Sequence, residues 1–508
     1  VLESLPLLSL ILFSPLIGVL ILLFVPKHKR KPLQTIAILT TLIPLVLGAM
    51  LLLQFDGVNS SVQMEEELKW IQPLTYFNYH FAYQLGVDGI SLPLILLTAF
   101  IATAAAFASV FIKKRWKLFF ILLLLLETGI FGVFMARDLL LFFIFFEFTL
   151  VPMFFLIGIW GEKRRERAAN YYLIYNGLGS AIMFIVFMML IFTVGYDIST
   201  SSYTSSFDVI KSNALDPSVF KFDFEELKTW MFVLLLIAFG IKLPMFPFHT
   251  WVVKVHREAP PAVVMIHSGI LLKMGAYGLI RFGYEIFPEQ AVEWATVLAV
   301  IGVINFLYGA LLALMQNELR SILAYSSISH MGIVLMGLAA GNALGMQGAV
   351  FQLISHGLIS ALLFLIVGSI AERTRTTALP ELGGLAQRMP FLSGVFLFAG
   401  LASLGLPALS GFVAEFMSFA GLFEQMPVLA AIGSIGIVLA AVYMLRAVLA
   451  ITFGNLHAQH QSLKDVRMME AIPMVALTAV IIVLGVYPAL LTSIVEQGMA
   501  FYVMVKGG

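Results

Sequence analysis

Cysteine does not occur in the 508 residues, which excludes disulfides, thiolate metal sites, cysteine-held iron–sulfur clusters and cysteine nucleophiles. Charge is nearly as scarce. Asp, Glu, Lys and Arg supply 12% of the chain, roughly half the share of an ordinary soluble domain, too little to cover a globule of this length. The net charge of +1 offers nothing to nucleic acid. The nine histidines are scattered and suggest neither haem nor a metal cluster. The chain holds no NAD, flavin or quinone motif, so no cofactor is expected in it and redox chemistry belongs to other chains.

What is abundant is apolar: 60% of the residues. A spanning helix needs about 20 mostly apolar residues. Fourteen runs qualify, at 5–25, 33–53, 86–112, 118–135, 138–158, 169–195, 230–251, 260–282, 294–315, 321–338, 347–370, 391–422, 428–453 and 471–495. The first run ends in a basic cluster without a small-residue cleavage site, and it reads as a retained helix rather than a signal peptide. The two longest loops, 54–85 and 196–229, are polar and are expected to hold surface turns.

Lys and Arg set the orientation. Alternate loops carry Lys27, Lys29, Arg30, Lys31; Lys113, Lys114, Arg115, Lys117; Lys163, Arg164, Arg165, Arg167; Lys254, Arg257; Arg320; Arg373, Arg375, Arg388; and Lys464, Arg467. The opposite side has only Lys69, Arg137, Lys211, Lys221, Lys228, Arg281 and Lys506. One invented or missed helix would scramble this alternation. The expectation is a cell-membrane protein of bacterial type, its basic loops in the cytoplasm and both termini outside; the mitochondrial inner membrane is the alternative.

A lysine or glutamate at mid-bilayer costs about 2.5–3.5 kcal/mol on insertion scales and usually marks an ion path. Arg446 lies near the inner end of its span and can snorkel. Others cannot. Glu147 in LLLFFIFFEFTLVPMFF and Glu127 in FFILLLLLETGIFGVF lie at one depth, about 12–14 Å from a shared end, on neighbouring antiparallel helices. They are expected to approach each other; a neutral acid bonded to backbone is the plainer reading of each. Lys242 stands directly before Pro244 and Pro247, which should break its helix, with His249 just after. Lys273, about 20 Å from the inner end of its helix, is too deep to snorkel and is read as a lysine that releases and regains a proton. His267 is six residues earlier and about 120° away, either a relay member or a satisfied core histidine. His330, with Ser326, Ser327 and Ser329 beside it, His356, and Glu415 after the interruption LPALSG complete the set. The serines alone are ordinary helix-packing residues.

The two broken spans are each fourth in a five-helix block. The expected fold is all-α and polytopic, with about fourteen helices and two inverted five-helix repeats. It divides into an N-terminal part (1–117), repeats at 118–282 and 283–453, and a C-terminal loop and helix (454–508).

The stretches FFEFTLVPMFFLIGIWG, FGIKLPMFPFHTWV, HREAPPAVVMIHSGILLKMGAYGLIRFG, LAYSSISHMG, LISHGLISALLFLIVGSI and GLPALSGFVAEFMSF resemble the antiporter-like subunits of respiratory complex I, the NADH–quinone oxidoreductase. Glu415, where several relatives have lysine, and the short tail after the last span point away from the long member with a lateral arm. The resemblance implies a Glu147–Lys242 pair whose association tunes the lysine, Lys273 as central proton carrier, His249, His330 and His356 as relay members, and Glu415 as terminal carrier. It implies partner subunits holding NADH, flavin, iron–sulfur clusters and quinone, among them related antiporter-like chains. Protons are the expected cargo, sodium the alternative. Glu127 and His267 stand outside the family pattern. Relatives commonly have Leu-Pro-Asp where this chain has Val252, Val253 and Lys254, so the resemblance does not place the inner entrance. A subunit of a multisubunit cation/proton antiporter or membrane-bound hydrogenase is the nearest rival, and a non-transporting scaffold the more distant one.

Overall fold

In hydrocarbon every backbone N–H and C=O must be bonded within the chain, so long apolar runs have little choice but to form helices. The computed structural model describes residues 6–57, 59, 61–71, 79–216 and 225–499; Lys221 and Lys506 lie outside them. Its principal helices are α1 (Leu7–Phe24), α2 (Arg30–Gln54), α3 (Ser91–Ala108), α4 (Trp116–Met135), α5 (Leu139–Trp160), α6 (Arg165–Val194), α7 (Glu225–Lys242), α8 (Thr250–Glu258), α9 (Pro261–Tyr284), α10 (Ala295–Met315), α11 (Leu319–Ala340), α12 (Ala343–Thr374), α13 (Pro390–Ser403), α14 (Ser410–Gln425), α15 (Pro427–Thr452) and α16 (Met468–Val486). Twelve of them are long and apolar enough to cross a membrane. The other four pair up, α7 with α8 and α13 with α14, at the two interruptions read from the sequence, so the fourteen apolar runs are all accounted for.

Two expectations need correction. The seventh span does not end near residue 251: its second half continues to Glu258, which puts Lys254 and Arg257 in a half-helix rather than a loop. Nine residues are too few to register as a span. The two long loops hold more than turns. Strands β1 (Gln63–Ile71), β2 (Tyr79–Val87), β3 (Tyr196–Asp197) and β4 (Ser202–Thr204) form a sheet in the order β1-β2-β4-β3, with β1 and β2 antiparallel. Phe81, Tyr83, Leu85 and Val87 alternate inward along β2, the period of a half-buried strand.

Helix starts are fixed by acids and an amide. The Asp138 side chain accepts from Leu140 N and Leu141 N before α5, Glu318 from Arg320 N and Ser321 N before α11, and Asn342 from Gly345 N before α12. Each satisfies donors that a helix cannot satisfy itself. At the far end of α9, Arg281 pairs with Asp88 and with Glu285 at 2.7 Å, and Glu285 with Lys211 at 2.6 Å.

Helices α9 and α12 form the centre: across the apolar window of each, every residue is buried, while less than half is buried in α1, α2 and α16. Their backbones touch where glycine allows it. A Cβ on Gly357 would lie 2.7 Å from the Gly269 carbonyl oxygen. Small residues permit that approach, and Lys273 and His356 flank the crossing.

Candidate functional site

The interrupted span places the first amine. Lys242 is the last residue of α7, its side chain fully buried and its Nζ without a hydrogen-bonding partner. It lies 5.0 Å from the Phe146 ring centroid and 5.4 Å from that of Tyr172, with Glu147 in electrostatic range but not hydrogen-bonded to it. Rings supply a negative face to the ammonium, a weaker substitute for a counter-ion.

Pro244 and Pro247 leave backbone groups exposed after the lysine, and the buried amide of Asn305 on α10 takes them up. Its Oδ1 accepts from Phe246 N at 2.6 Å, and its Nδ2 donates to Pro244 O at 3.2 Å. Trp251 Nε1 donates to Ile241 O at 3.0 Å across the same gap. His249 sits at the break against the rings of Phe246 and Tyr308, 5.7 and 5.1 Å between centroids, with Nδ1 unpartnered.

His267 proves to be neither isolated nor fully satisfied. Its Nδ1 lies 2.9 Å from Nε2 of His256 in α8, and its Nε2 is buried without a partner. Tyr172, whose ring faces Lys242, also packs against His267 at 5.9 Å. His267 opens a π-helical stretch, His267–Leu271, which frees α9 from ordinary helical register. Beyond it the Lys273 amine folds back to donate to Ser268 O and reaches His356 Nδ1 at 2.8 Å.

From His356 the line continues to His330, 5.5 Å between ring centroids. His330 Nδ1 stands 3.5 Å from Glu415 Oε1 and 3.3 Å from Gln352 Nε2, while Ser403 Oγ lies 3.4 Å from its Nε2. At 3.5 Å the Glu415 contact is ionic rather than a hydrogen bond, and it is attractive when His330 is protonated. Glu415 rests against Gly405, at φ +81° in the α13–α14 break, where a Cβ would meet Oε2 at 2.7 Å. These side chains and Ser326, Ser327, Ser355 and Ser360 line a cavity of ≈ 20 Å³, enough for about one water molecule.

The serines divide by role. Ser327 Oγ meets Ser268 Oγ at 3.1 Å and Ser326 accepts from Tyr443 OH at 2.8 Å, but Ser329 bonds Phe306 O and serves helix packing. Glu127 is not joined to Glu147. Both of its oxygens are buried without a partner. Gly129 and Gly132 form the face of α4 that meets Phe145, Phe148 and Thr149 of α5. Glu127 lies about 200° and 140° around the helix from those glycines. Equal depth does not make two residues neighbours.

Sequence reasoning missed His256, Asn305, Gln352 and Tyr443. A lone amide in the apolar run VINFLYG, and an imidazole 11 residues before His267, were the available signals. Among the described residues no cluster of metal-ligating side chains occurs.

Residues 136–440 match the profile of the NADH:quinone oxidoreductase/Mrp antiporter transmembrane family. The chain is 36% identical over 493 residues to NADH-quinone oxidoreductase subunit M of Rickettsia typhi, covering 96% of each. It is 37% identical over 502 residues to NAD(P)H-quinone oxidoreductase chain 4 1 of Synechococcus elongatus, covering 97% of this chain and 91% of the other. A chain of respiratory complex I from Thermus thermophilus with bound NADH superposes with a TM-score of 0.84 at 26% identity, over 97% of this chain and 99% of that one. A chain of the Mrp complex from Dietzia sp. DQ12-45-1b shares the fold, with a TM-score of 0.83 at 22% identity over 98% of each.

Proposed function

The chain belongs to the NADH:quinone oxidoreductase/Mrp antiporter transmembrane family, and we propose that it is the proton-translocating membrane-arm subunit of an NADH–quinone oxidoreductase in a bacterial cell membrane. The observation that carries this reading is the contact of Lys273 with His356 at 2.8 Å, on helices buried on all sides and continued by His330 to Glu415. A scaffold gains nothing from the insertion cost of such a line.

Glu147, Lys242, Lys273 and Glu415 are the carriers in this scheme, and His249, His330 and His356 the relay. When Glu147 pairs with Lys242, the ammonium is held. When the carboxylate is drawn away, a buried ammonium loses its counter-charge and gives up its proton more readily. Lys273 donates to His356 Nδ1, and the proton leaves by way of His330 and the cavity water for Glu415. Partner subunits supply the driving charge movement, since NADH, flavin, iron–sulfur clusters and quinone belong to them. The repeats at 118–282 and 283–453 are related by inversion in this scheme, and the basic loops face the cytoplasm.

Likeness to the Mrp fold keeps a cation/proton antiporter as the second reading. The purified native complex in sealed vesicles distinguishes them. NADH oxidation with quinone, coupled to proton translocation and insensitive to sodium, is the expected result. A complex that exchanges sodium for protons and does not oxidise NADH would overturn it.

A further inference from the structure

At the basic face the ends of α5, α9, α11 and α12 and the turn between α3 and α4 enclose a vestibule of ≈ 390 Å³. Its wall carries two ion pairs, Lys113–Glu372 at 3.0 Å and Arg320–Glu162 at 2.7 Å. Such walls hold water. On its apolar side are Gly368 of α12 and Pro261 at the start of α9. A Cβ on Gly368 would lie 2.8 Å from Pro261 Cβ, so the helices close tightly there.

One turn deeper on α12, about 6 Å, stands Phe364, which lines the cavity shared by His330, His356 and Glu415. Phe364 and Gly368, four residues apart, are neighbours on the surface of α12. Vestibule and cavity therefore approach each other along α12, and of the α12 residues lining the cavity the Phe364 ring lies nearest the vestibule. The centroid of that ring is 5.1 Å from that of His256.

We propose that this vestibule is the inlet by which protons reach the buried line from the basic face, and that Phe364 is the plug that closes it. The proposal rests on the reading of the chain as a proton translocator and supplies the entrance that Val252, Val253 and Lys254 do not: Val252 is buried, and Lys254 lies over the Tyr171 ring. Behind Phe364, His256 Nδ1 is buried without a partner. A hydronium ion that gives its proton to this nitrogen leaves as water. His256 then passes the proton on its Nε2 to His267 Nδ1, 2.9 Å away, so one N–H bond forms as another breaks. While the ring of Phe364 stays in place, water does not reach the imidazole.

The test exploits the absence of cysteine in this chain. Ala371→Cys puts a thiol in the vestibule and Ser360→Cys puts one in the cavity. Silver ion, a small thiol-binding cation, is applied to the basic face of the membrane-embedded complex, and its binding is read as loss of alkylation of that thiol after denaturation. We expect Ala371→Cys to be blocked and Ser360→Cys to stay reactive. Adding Phe364→Ala to Ser360→Cys should produce blocking, and the milder Phe364→Leu partial blocking. Blocking of Ser360→Cys with Phe364 present, or none in either double variant, overturns the proposal. Silver access is read without transport, so loss of the inlet and loss of the translocator reading remain separate outcomes.

Discussion

Around Lys242 the chain supplies the rings of Phe146 and Tyr172 and no hydrogen-bonding partner, whereas around His330 it supplies Gln352, Ser403, Glu415 and a polar-lined cavity with room for about one water. The two halves of the buried line suit opposite tasks. A charge with no hydrogen bonds to break responds to any other charge brought near it. At 4 Å and an effective dielectric constant of 20 that response is about 4 kcal/mol. A bonded, hydrated chain screens such influences but hands protons along. On the function proposed above, the first half is the one switched and the second the one that conducts, with Lys273 where they join.

The strongest way to break that division is at the junction. Lys273→Ala should abolish proton translocation in sealed vesicles while the complex still assembles. Lys273→Arg should fail as well, since guanidinium cannot release a proton; normal transport by that variant would remove Lys273 from the path. Next in size, Glu147→Gln should lower the NADH-driven proton translocation rate severely and Glu147→Asp retain part of it, because only a charged side chain can modulate Lys242. Full activity in the glutamine variant would show that the first half is not a charge switch.

Asn305→Ala probes the frame of the switch. It strands Phe246 N and Pro244 O, and a buried group left unbonded costs about 1–3 kcal/mol. A lower melting temperature of the complex, with pumping reduced in what remains folded, is the expected outcome. An unchanged melting temperature would mean that the break carries itself.

Asp138, ahead of the helix bearing Glu147, offers a smaller effect. Burial raises its carboxyl from 3.8 to about 6, against the bonds it accepts from Ser205, Leu141 N and Leu140 N. The folded state holds a proton that the unfolded chain has released, so this stabilising contribution is complete below about pH 4 and fades as pH rises through about 6. Asp138→Asn cannot ionise. Its melting temperature relative to the native protein should therefore rise between pH 5 and pH 7, and a constant difference would count against the shift. Least of all, Glu127→Gln should leave the rate and pH dependence of pumping unchanged, because α4 turns Glu127 away from Glu147. A shifted pH profile would restore the coupling of the two acids.

Much of this was legible in residues alone. Apolar run length marks a span wherever lipid is the solvent, and Pro244, Pro247 and the LPALSG interruption announced both breaks. Lys242, Lys273 and Glu415 stood out because nothing excuses a charge at their depth. The remainder depends on azimuth and on partners distant in sequence. Depth placed Glu127 level with Glu147, but the glycine face of α4 decided which way it points. His256 was hidden because a nine-residue half-helix looks like a loop to any rule built on spanning length. Asn305 becomes visible only when one asks which group takes up the bonds that prolines leave open.

Helix α9 departs from α-helical winding twice, at His267–Leu271 and at Leu279–Tyr284. Each wide turn takes up residues that an α-helix would spend on further rotation. The spacing of His267, Lys273 and Arg281 is thus tuned to that winding, with partners on three different elements: His256 on α8, His356 on α12 and Asp88 ahead of α3. Deleting one residue between His267 and Lys273 would leave hydropathy and span length almost untouched, yet turn the amine by about 100° relative to the imidazole. A helix wound in this way withstands a change of side chain far better than a change of length.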